Sequence, residues 1–129
     1  MIDFLVDTNV LIYLYTLHPT YLHFFLEFAD KIPGISVVTH MEMLMGARND
    51  KEEAALEKFL GDFESIPVDL NIARESALWM RRRKHRSLRH PSLPDTIIGK
   101  TALALGIPLV TNNKKDFASL AGLELIVPE

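Results

Sequence analysis

The chain has 129 residues, of which 48% are hydrophobic and 24% are charged, with 14 Lys and Arg against 17 Asp and Glu. This composition is too apolar for a disordered chain, and a net charge of -3 excludes a uniformly basic nucleic-acid binder. The absence of cysteine excludes disulfides, thiolate nucleophiles and cysteine-based zinc sites. With no apolar run near the roughly 20 residues of a membrane span, and no signal-peptide pattern, we expect a cytoplasmic protein without membrane association.

The first half of the chain alternates between strand and helix patterns. Residues 1–7 form a mostly apolar segment that predicts a buried strand. The aromatic segment YLHFFLEF, residues 21–28, is apolar nearly all round, which predicts a helix covered by core or subunit contacts. A second strand is predicted over 35–38, followed by a helix that starts near Thr39. The three methionines of that helix, at positions 41, 43 and 45, are expected to fill core and interface gaps.

The second half continues the alternation. Apolar residues recur at helical spacing within 50–64, and residues 65–68 predict a strand. In the next predicted helix, one apolar face is made of Leu70, Ala73, Ala77 and Met80. A third helical pattern, which includes Ile97, Ile98, Thr101, Ala102 and Leu105, is expected to end at Gly106. The last strands are predicted over 107–110 and 123–127.

Strands separated by helices of this length favour an α/β fold with a mainly parallel central sheet. No internal repeat and no linker composition interrupts the pattern. We therefore predict a single domain over residues 1–129.

Four carboxylates lie at junctions between predicted elements. Asp7 ends the first strand, Glu42 lies near the start of the helix beginning at Thr39, and Asp95 follows Pro94 at a helix start. Asp116 lies in the segment TNNKKDF after the fourth strand. Ligands of open parallel sheets bind outside the carboxyl ends of the strands, where Asp7 and the TNNKKDF segment are expected.

Each of these acids also has a purely structural interpretation. Thr39-x-x-Glu42 fits a capping box, Asp95 fits a helix start, and Asp7 fits a helix cap. Asp116 fits an ordinary solvated loop residue. Taken singly, none of them predicts a site.

Together the four acids point to a metal site. Like charges about 4 Å apart repel by roughly 4 kcal/mol per pair at an effective dielectric of 20, so a cation is needed to hold them together. Oxygen ligands select Mg²⁺ or Mn²⁺. Such an ion activates water and stabilises a phosphodiester during attack, which predicts metal-dependent phosphodiester hydrolysis.

Longer motifs make the pattern more specific. The segments LVDTNVLI, THMEMLMGA, PDTIIGKTALALGIPLVTNN and KDFASLAGLELIVPE resemble those of PIN-domain proteins, in the same order over essentially the whole chain, and most of all the VapC-like toxins. The resemblance implies a PIN-like three-layer α/β/α sandwich and an endoribonuclease that uses Mg²⁺ or Mn²⁺. It also implies a homodimer inhibited by a small antitoxin protein. Carried over by position, the catalytic acids are Asp7, Glu42, Asp95 and Asp116, with metal ligation expected of the first three.

The polar neighbours of these acids gain candidate supporting roles. Thr8 and Asn9 follow the first acid as they do in the family, and are expected to orient its carboxylate or hold water. Thr111 and Asn112 are expected to serve similarly in the last loop. Some relatives carry a further acid where this chain has Asn112 or Asn113, so the loop is less negative here.

Residues 81–90, RRRKHRSLRH, hold six of the 14 basic side chains. A charge run of this kind is often a solvated helix end, where cations also favour the helix dipole. Beside an acidic site, cations are needed to attract RNA phosphates, which makes Arg82, Arg83 and Arg86 the candidate RNA-binding residues.

Two other functions stay open at this point. One is a PIN nuclease that acts in RNA processing or on DNA outside a toxin pair. The other is an RNA-binding or scaffold protein that keeps the fold without catalysing a reaction.

Overall fold

The computed structural model describes residues 1–129. In chain order its elements are β1 (Phe4–Val6), α1 (Thr8–Tyr15), α2 (Pro19–Glu27), β2 (Pro33–Ser36), α3 (Val37–Met45), α4 (Asp50–Leu60), β3 (Glu64–Ile66), α5 (Leu70–His85), α6 (Leu93–Leu105), β4 (Leu109–Val110), α7 (Lys114–Phe117) and β5 (Leu125–Ile126). None of the seven helices combines the length and the apolar character that a membrane-spanning helix requires.

The five strands form one sheet in the order β3-β2-β1-β4-β5, and every neighbouring pair is parallel. The strand at its centre, β1, pairs Leu5 with Leu109 and Val6 with Val110 of β4. The strand order reverses between β1 and β4, so a crevice opens at their carboxyl ends. The prediction of an α/β fold with a parallel sheet is confirmed.

Side chains that alternate along β1 divide the core into two halves. Phe4 and Val6 belong to one cluster, which includes buried residues of α1, α2, α3 and α4. Leu5 belongs to the other, where Ile98 and Ala102 of α6 pack with Phe117 of α7. Helices thus cover both faces of the sheet, which gives the three-layer α/β/α sandwich.

The aromatic segment 21–28 lies in the first half of the core, as predicted. Phe24 packs edge-on against Phe4 with ring centroids 5.9 Å apart, and Phe28 lies 4.7 Å from Phe24. Tyr21 and Phe24 are buried. This cluster fixes α2 against β1.

The start of α3 differs from the prediction. Residues 37 and 38 belong to the helix rather than to the strand, because the Ser36 hydroxyl accepts a hydrogen bond from the Val38 amide and caps the helix there. The expected start near Thr39 was therefore wrong, and Thr39 and Glu42 form no capping box. Glu42 lies in the second turn of α3.

Two further predictions about helices need correction. The buried residues of α5 are Ile72 and Ser76, whereas Leu70 and Ala77 are exposed, so the predicted apolar face was wrong. Asp116 lies in the short helix α7 rather than in a loop. The predicted end of α6 is confirmed, since Gly106 follows Leu105 with a left-handed φ of 65°.

Candidate functional site

Asp7 lies at the carboxyl edge of the sheet, where β1 and β4 separate. Its backbone amide donates to the Val110 carbonyl at 3.0 Å, which continues the pairing of the two strands by one residue. The Thr111 hydroxyl, directly after β4, donates to Asp7 Oδ2 at 2.8 Å. Asp7 is only 2% exposed and occupies the N-cap position of α1, but its side chain makes no capping hydrogen bond. Its carboxylate is thus oriented from β4.

Glu42 is held by a chain of hydroxyl groups from two helices. Thr8 Oγ1 donates to Glu42 Oε1 at 2.7 Å and lies 3.0 Å from Thr39 Oγ1. Because Thr8 has a single hydroxyl proton and gives it to Glu42, Thr39 donates to Thr8. Thr8 therefore orients Glu42 rather than Asp7, and the buried Thr39 supports it.

Asp95 is positioned by the first turn of α6. The Ser92 hydroxyl caps the helix by accepting a hydrogen bond from the Asp95 amide at 3.3 Å. Pro94 stands within the first turn, where its fixed φ suits a helix start. The side chain of Asp95 is half-buried.

Asp116 is bound by an arginine that sequence reasoning did not single out. Arg89 donates to Asp116 Oδ1 from Nη2 at 2.6 Å and from Nε at 3.1 Å. Asn113 Nδ2 donates to Asp116 Oδ2 at 2.9 Å. Only the basic character of residues 81–90 pointed to Arg89, because the partner lies 27 residues away.

The acids interact electrostatically, which shows in their pKa values. Burial, opposed by the Thr111 hydrogen bond and assisted by the charges of Asp95 and Glu42, raises the pKa of Asp7 to about 6. Burial also raises the pKa of Asp95, together with the charges of Glu42 and Asp116. By contrast, the hydrogen bond from Asn113 and the Arg89 guanidinium lower the pKa of Asp116.

The donor chemistry suits a hard divalent cation. Asp7, Glu42 and Asp95 offer carboxylate oxygens, and none of them takes part in an ion pair of this structure. No group of three acids or histidines lies at metal-ligand spacing as the side chains stand. The convergence is therefore electrostatic, and ligation by three carboxylates requires them to move closer together.

The remaining polar candidates lie around this edge. Asn9 is exposed. The side-chain amide of Asn112 donates to the Tyr21 hydroxyl at 3.2 Å. The Thr111 hydroxyl also accepts a hydrogen bond from the backbone amide of Asn113 at 2.9 Å. Asn112 is thus engaged with α2 and makes no hydrogen bond to an acid.

The basic segment begins in the last turn of α5. Arg83 lies over the Trp79 ring at 5.1 Å, and its Nε donates to the Arg89 carbonyl at 2.6 Å. Arg82 and Arg86 are exposed. Arg83 therefore has a structural partner, whereas the other two predicted RNA-binding residues face solvent.

Known proteins resemble this chain over nearly its full length. The PIN domain family model matches residues 4–123. A chain of a toxin–antitoxin complex from Klebsiella pneumoniae is 31% identical, with 98% of each chain covered and a TM-score of 0.79. No curated protein matches significantly.

Two further structures share the fold at lower identity. One is VapBC2 from Rickettsia felis bound to a promoter DNA fragment, at 24% identity, full coverage of both chains and a TM-score of 0.84. The other is VapBC-1 from nontypeable Haemophilus influenzae, at 22% identity, 98% coverage of both chains and a TM-score of 0.81.

The raised pKa of Asp7 predicts that stability depends on pH. Asp7 binds its proton more tightly in the folded chain, at a pKa of about 6, than in the unfolded chain, at the ordinary value of 3.8. Lowering the pH from 7 to 5 without metal should therefore raise the free energy of unfolding, by about 1 kcal/mol from Asp7 alone. Urea unfolding with a chelator measures this. Asp7→Asn should be more stable than wild type at pH 7 and lose this part of the dependence; an unchanged dependence would contradict the assignment.

Proposed function

The chain belongs to the PIN-domain family, and from this premise we propose that it is a metal-dependent endoribonuclease. The observation that carries the proposal is that Asp7, Glu42 and Asp95 repel one another electrostatically near the carboxyl edge of the sheet and have no cationic side chain to pair with them. Such a group of acids is unfavourable by itself, since each charge raises the cost of ionising the others. A bound divalent ion removes that cost.

The metal proposed for this site is Mg²⁺ or Mn²⁺, held by Asp7, Glu42 and Asp95. When bound, it supplies Lewis-acid activation of water and stabilisation of phosphate charge. The chain's own residues orient the ligands: Thr111 fixes the carboxylate of Asp7, and Thr8 fixes that of Glu42. Asp116, on α7, is the fourth acid of the site. Together with Asp7, Glu42 and Asp95 it forms the group that we call the acidic ring.

The proposed substrate is RNA, drawn to the site by cations from the end of α5. Arg82 and Arg86 are exposed there, in the segment that leads to Arg89 beside Asp116. A net negative protein needs such a local positive surface to attract an anionic polymer to carboxylates. Arg83, which is bound to the Arg89 carbonyl, supports the segment rather than the substrate.

The proposed biological role is that of the toxin in a toxin–antitoxin pair, with a small antitoxin protein as partner. Support comes from the 31% identical chain, which is part of a toxin–antitoxin complex, and from the VapBC structures that share the fold. The RNA fragments that accumulate when the chain is expressed without an antitoxin would identify its target.

We also propose that the chain forms a homodimer through an apolar surface beside the acidic site. Met41 is 60% exposed and Met45 is 84% exposed on α3. They line a cavity of about 460 Å³ together with Val38, Glu42, Leu93, Pro94 and Ile97, and Glu42 is the one charged residue in this mostly apolar lining. Exposed apolar surface of this kind is typical of protein interfaces. A second copy would cover it.

Asp7→Asn should reduce RNA cleavage with Mn²⁺ by at least about a hundredfold, because a metal ligand contributes several kcal/mol to transition-state stabilisation. Circular dichroism should show the folded state retained. The matched control is Asp3→Asn, which removes a nearby acid that instead accepts from the Ile32 amide, and should cleave normally. Wild-type activity in Asp7→Asn would remove Asp7 from the metal site.

Neutralising Arg82 and Arg86 together should weaken RNA binding, because phosphate contacts release counterions. Each lost contact lowers the log–log salt slope by about 0.7 for a single strand, so the double Gln variant should lose about 1.4. The measurement is a titration of Asp7→Asn protein with RNA at several salt concentrations. Lys58→Gln, at the end of α4, serves as the control. If the double variant leaves the slope unchanged, Arg82 and Arg86 do not contact RNA, and the end of α5 is only a solvated helix end.

Met45→Lys should shift the chain from dimer to monomer, because a charge buried in an apolar interface costs several kcal/mol. Size-exclusion chromatography with light scattering measures the mass. Leu26→Lys is the matched control, since Leu26 is 75% exposed on α2 and does not line this cavity, and should leave the dimer intact. A wild-type monomer, or a Met45→Lys dimer, would contradict the proposed interface.

A further inference from the structure

We propose that Arg89 is a fixed cation of the acidic site, which binds Asp116 and keeps it out of metal ligation. The metal ligands are then Asp7, Glu42 and Asp95 alone, and the chain binds one divalent ion. This inference rests on the proposed metal-dependent function and concerns how many ions the site accepts.

Both oxygens of Asp116 already have donors. Arg89 directs two guanidinium nitrogens to Oδ1, at 2.6 and 3.1 Å, and Asn113 donates to Oδ2 at 2.9 Å. Charge-assisted hydrogen bonds of this length are among the stronger ones in proteins. A metal ion at Asp116 would have to displace these donors and lie beside a guanidinium of the same charge sign.

The chain also holds the backbone of Arg89 in place. Arg83 Nε donates to the Arg89 carbonyl at 2.6 Å, and the Leu88 amide donates to the Arg83 carbonyl at 2.9 Å. Between them Ser87 adopts a left-handed φ of 52°, which turns the chain after α5 back toward the site. Arg83 itself lies over Trp79. Arg89 is therefore anchored at its main chain as well as at its guanidinium.

The two sides of the acidic ring differ in their partners. Asp7, Glu42 and Asp95 take part in no ion pair, whereas Asp116 is paired with Arg89 at 2.6 Å. The side formed by Asp7, Glu42 and Asp95 needs a cation from solution. The Asp116 side already has one from the chain, in the loop where the sequence carries asparagine at 112 and 113 rather than a further acid.

The experiment compares variants that remove one or both charges of the Arg89–Asp116 pair. The measurement is Mn²⁺ binding to metal-free protein by isothermal titration calorimetry, without RNA. Arg89→Gln should bind Mn²⁺ roughly threefold or more tightly, because it leaves Asp116 unpaired, and Asp116→Asn should bind more weakly by a similar factor. The double variant removes a neutral pair. It should therefore bind one ion with an affinity within about twofold of wild type.

Two controls separate position from net charge and folding. Arg86→Gln makes the same charge change from an exposed arginine with no acidic partner, and should have a smaller effect than Arg89→Gln. Arg89→Lys keeps the charge and should bind like wild type. The Arg89 side chain is 58% exposed, so these substitutions lie at the surface, and thermal unfolding checks that each variant is folded.

The outcomes distinguish this inference from the proposed function. If Asp116 is a ligand, the double variant loses a ligand and should bind Mn²⁺ about tenfold or more weakly, which would overturn the role of Arg89. Two ions bound to wild type would overturn it as well. No binding of Mn²⁺ to wild type would remove the metal-dependent function itself, and this inference with it.

Discussion

The structure depends on a carboxylate buried where it is unfavourable. Asp7 lies at the crevice between β1 and β4, almost without solvent exposure, and nearby acids add to the cost of its charge. The Thr111 hydroxyl offsets part of that cost. Placing an acid at this point lowers stability, and binding of the proposed cation would offset that cost. The cost in stability and the proposed affinity for metal thus have the same origin.

The neighbouring acids are supported from two directions with different chemistry. On one side, the hydroxyl chain from Thr39 through Thr8 orients Glu42 without changing its charge. On the other, Arg89 supplies a full positive charge to Asp116. Neutral donors orient a ligand and leave its charge available to a metal, whereas a guanidinium neutralises it. This difference is the basis of the proposal that the two halves of the ring differ in their capacity for cations.

Similarity over the full chain shows that it belongs to the PIN-domain family, but this does not determine the chemistry of its site. Structures at 22 to 24% identity share the fold with TM-scores above 0.8. A shared fold does not fix an activity, because the same framework carries different side chains at its strand ends. For this chain the proposed activity rests on the acids near the carboxyl edge of the sheet, and the proposed number of bound ions rests on Arg89.

The sequence by itself determined the α/β class, the order of the strands along the chain and the position of Asp7 and Asp95 at element junctions, because hydrophobic period and turn residues are local signals. Tertiary structure alone decided what those acids contact. Thr39 looked like a helix cap but supports Thr8, 31 residues earlier, and Arg89 looked like one member of a basic run but binds Asp116. Contacts between residues so far apart in the chain depend on how helices pack on the sheet, and no local pattern encodes that packing.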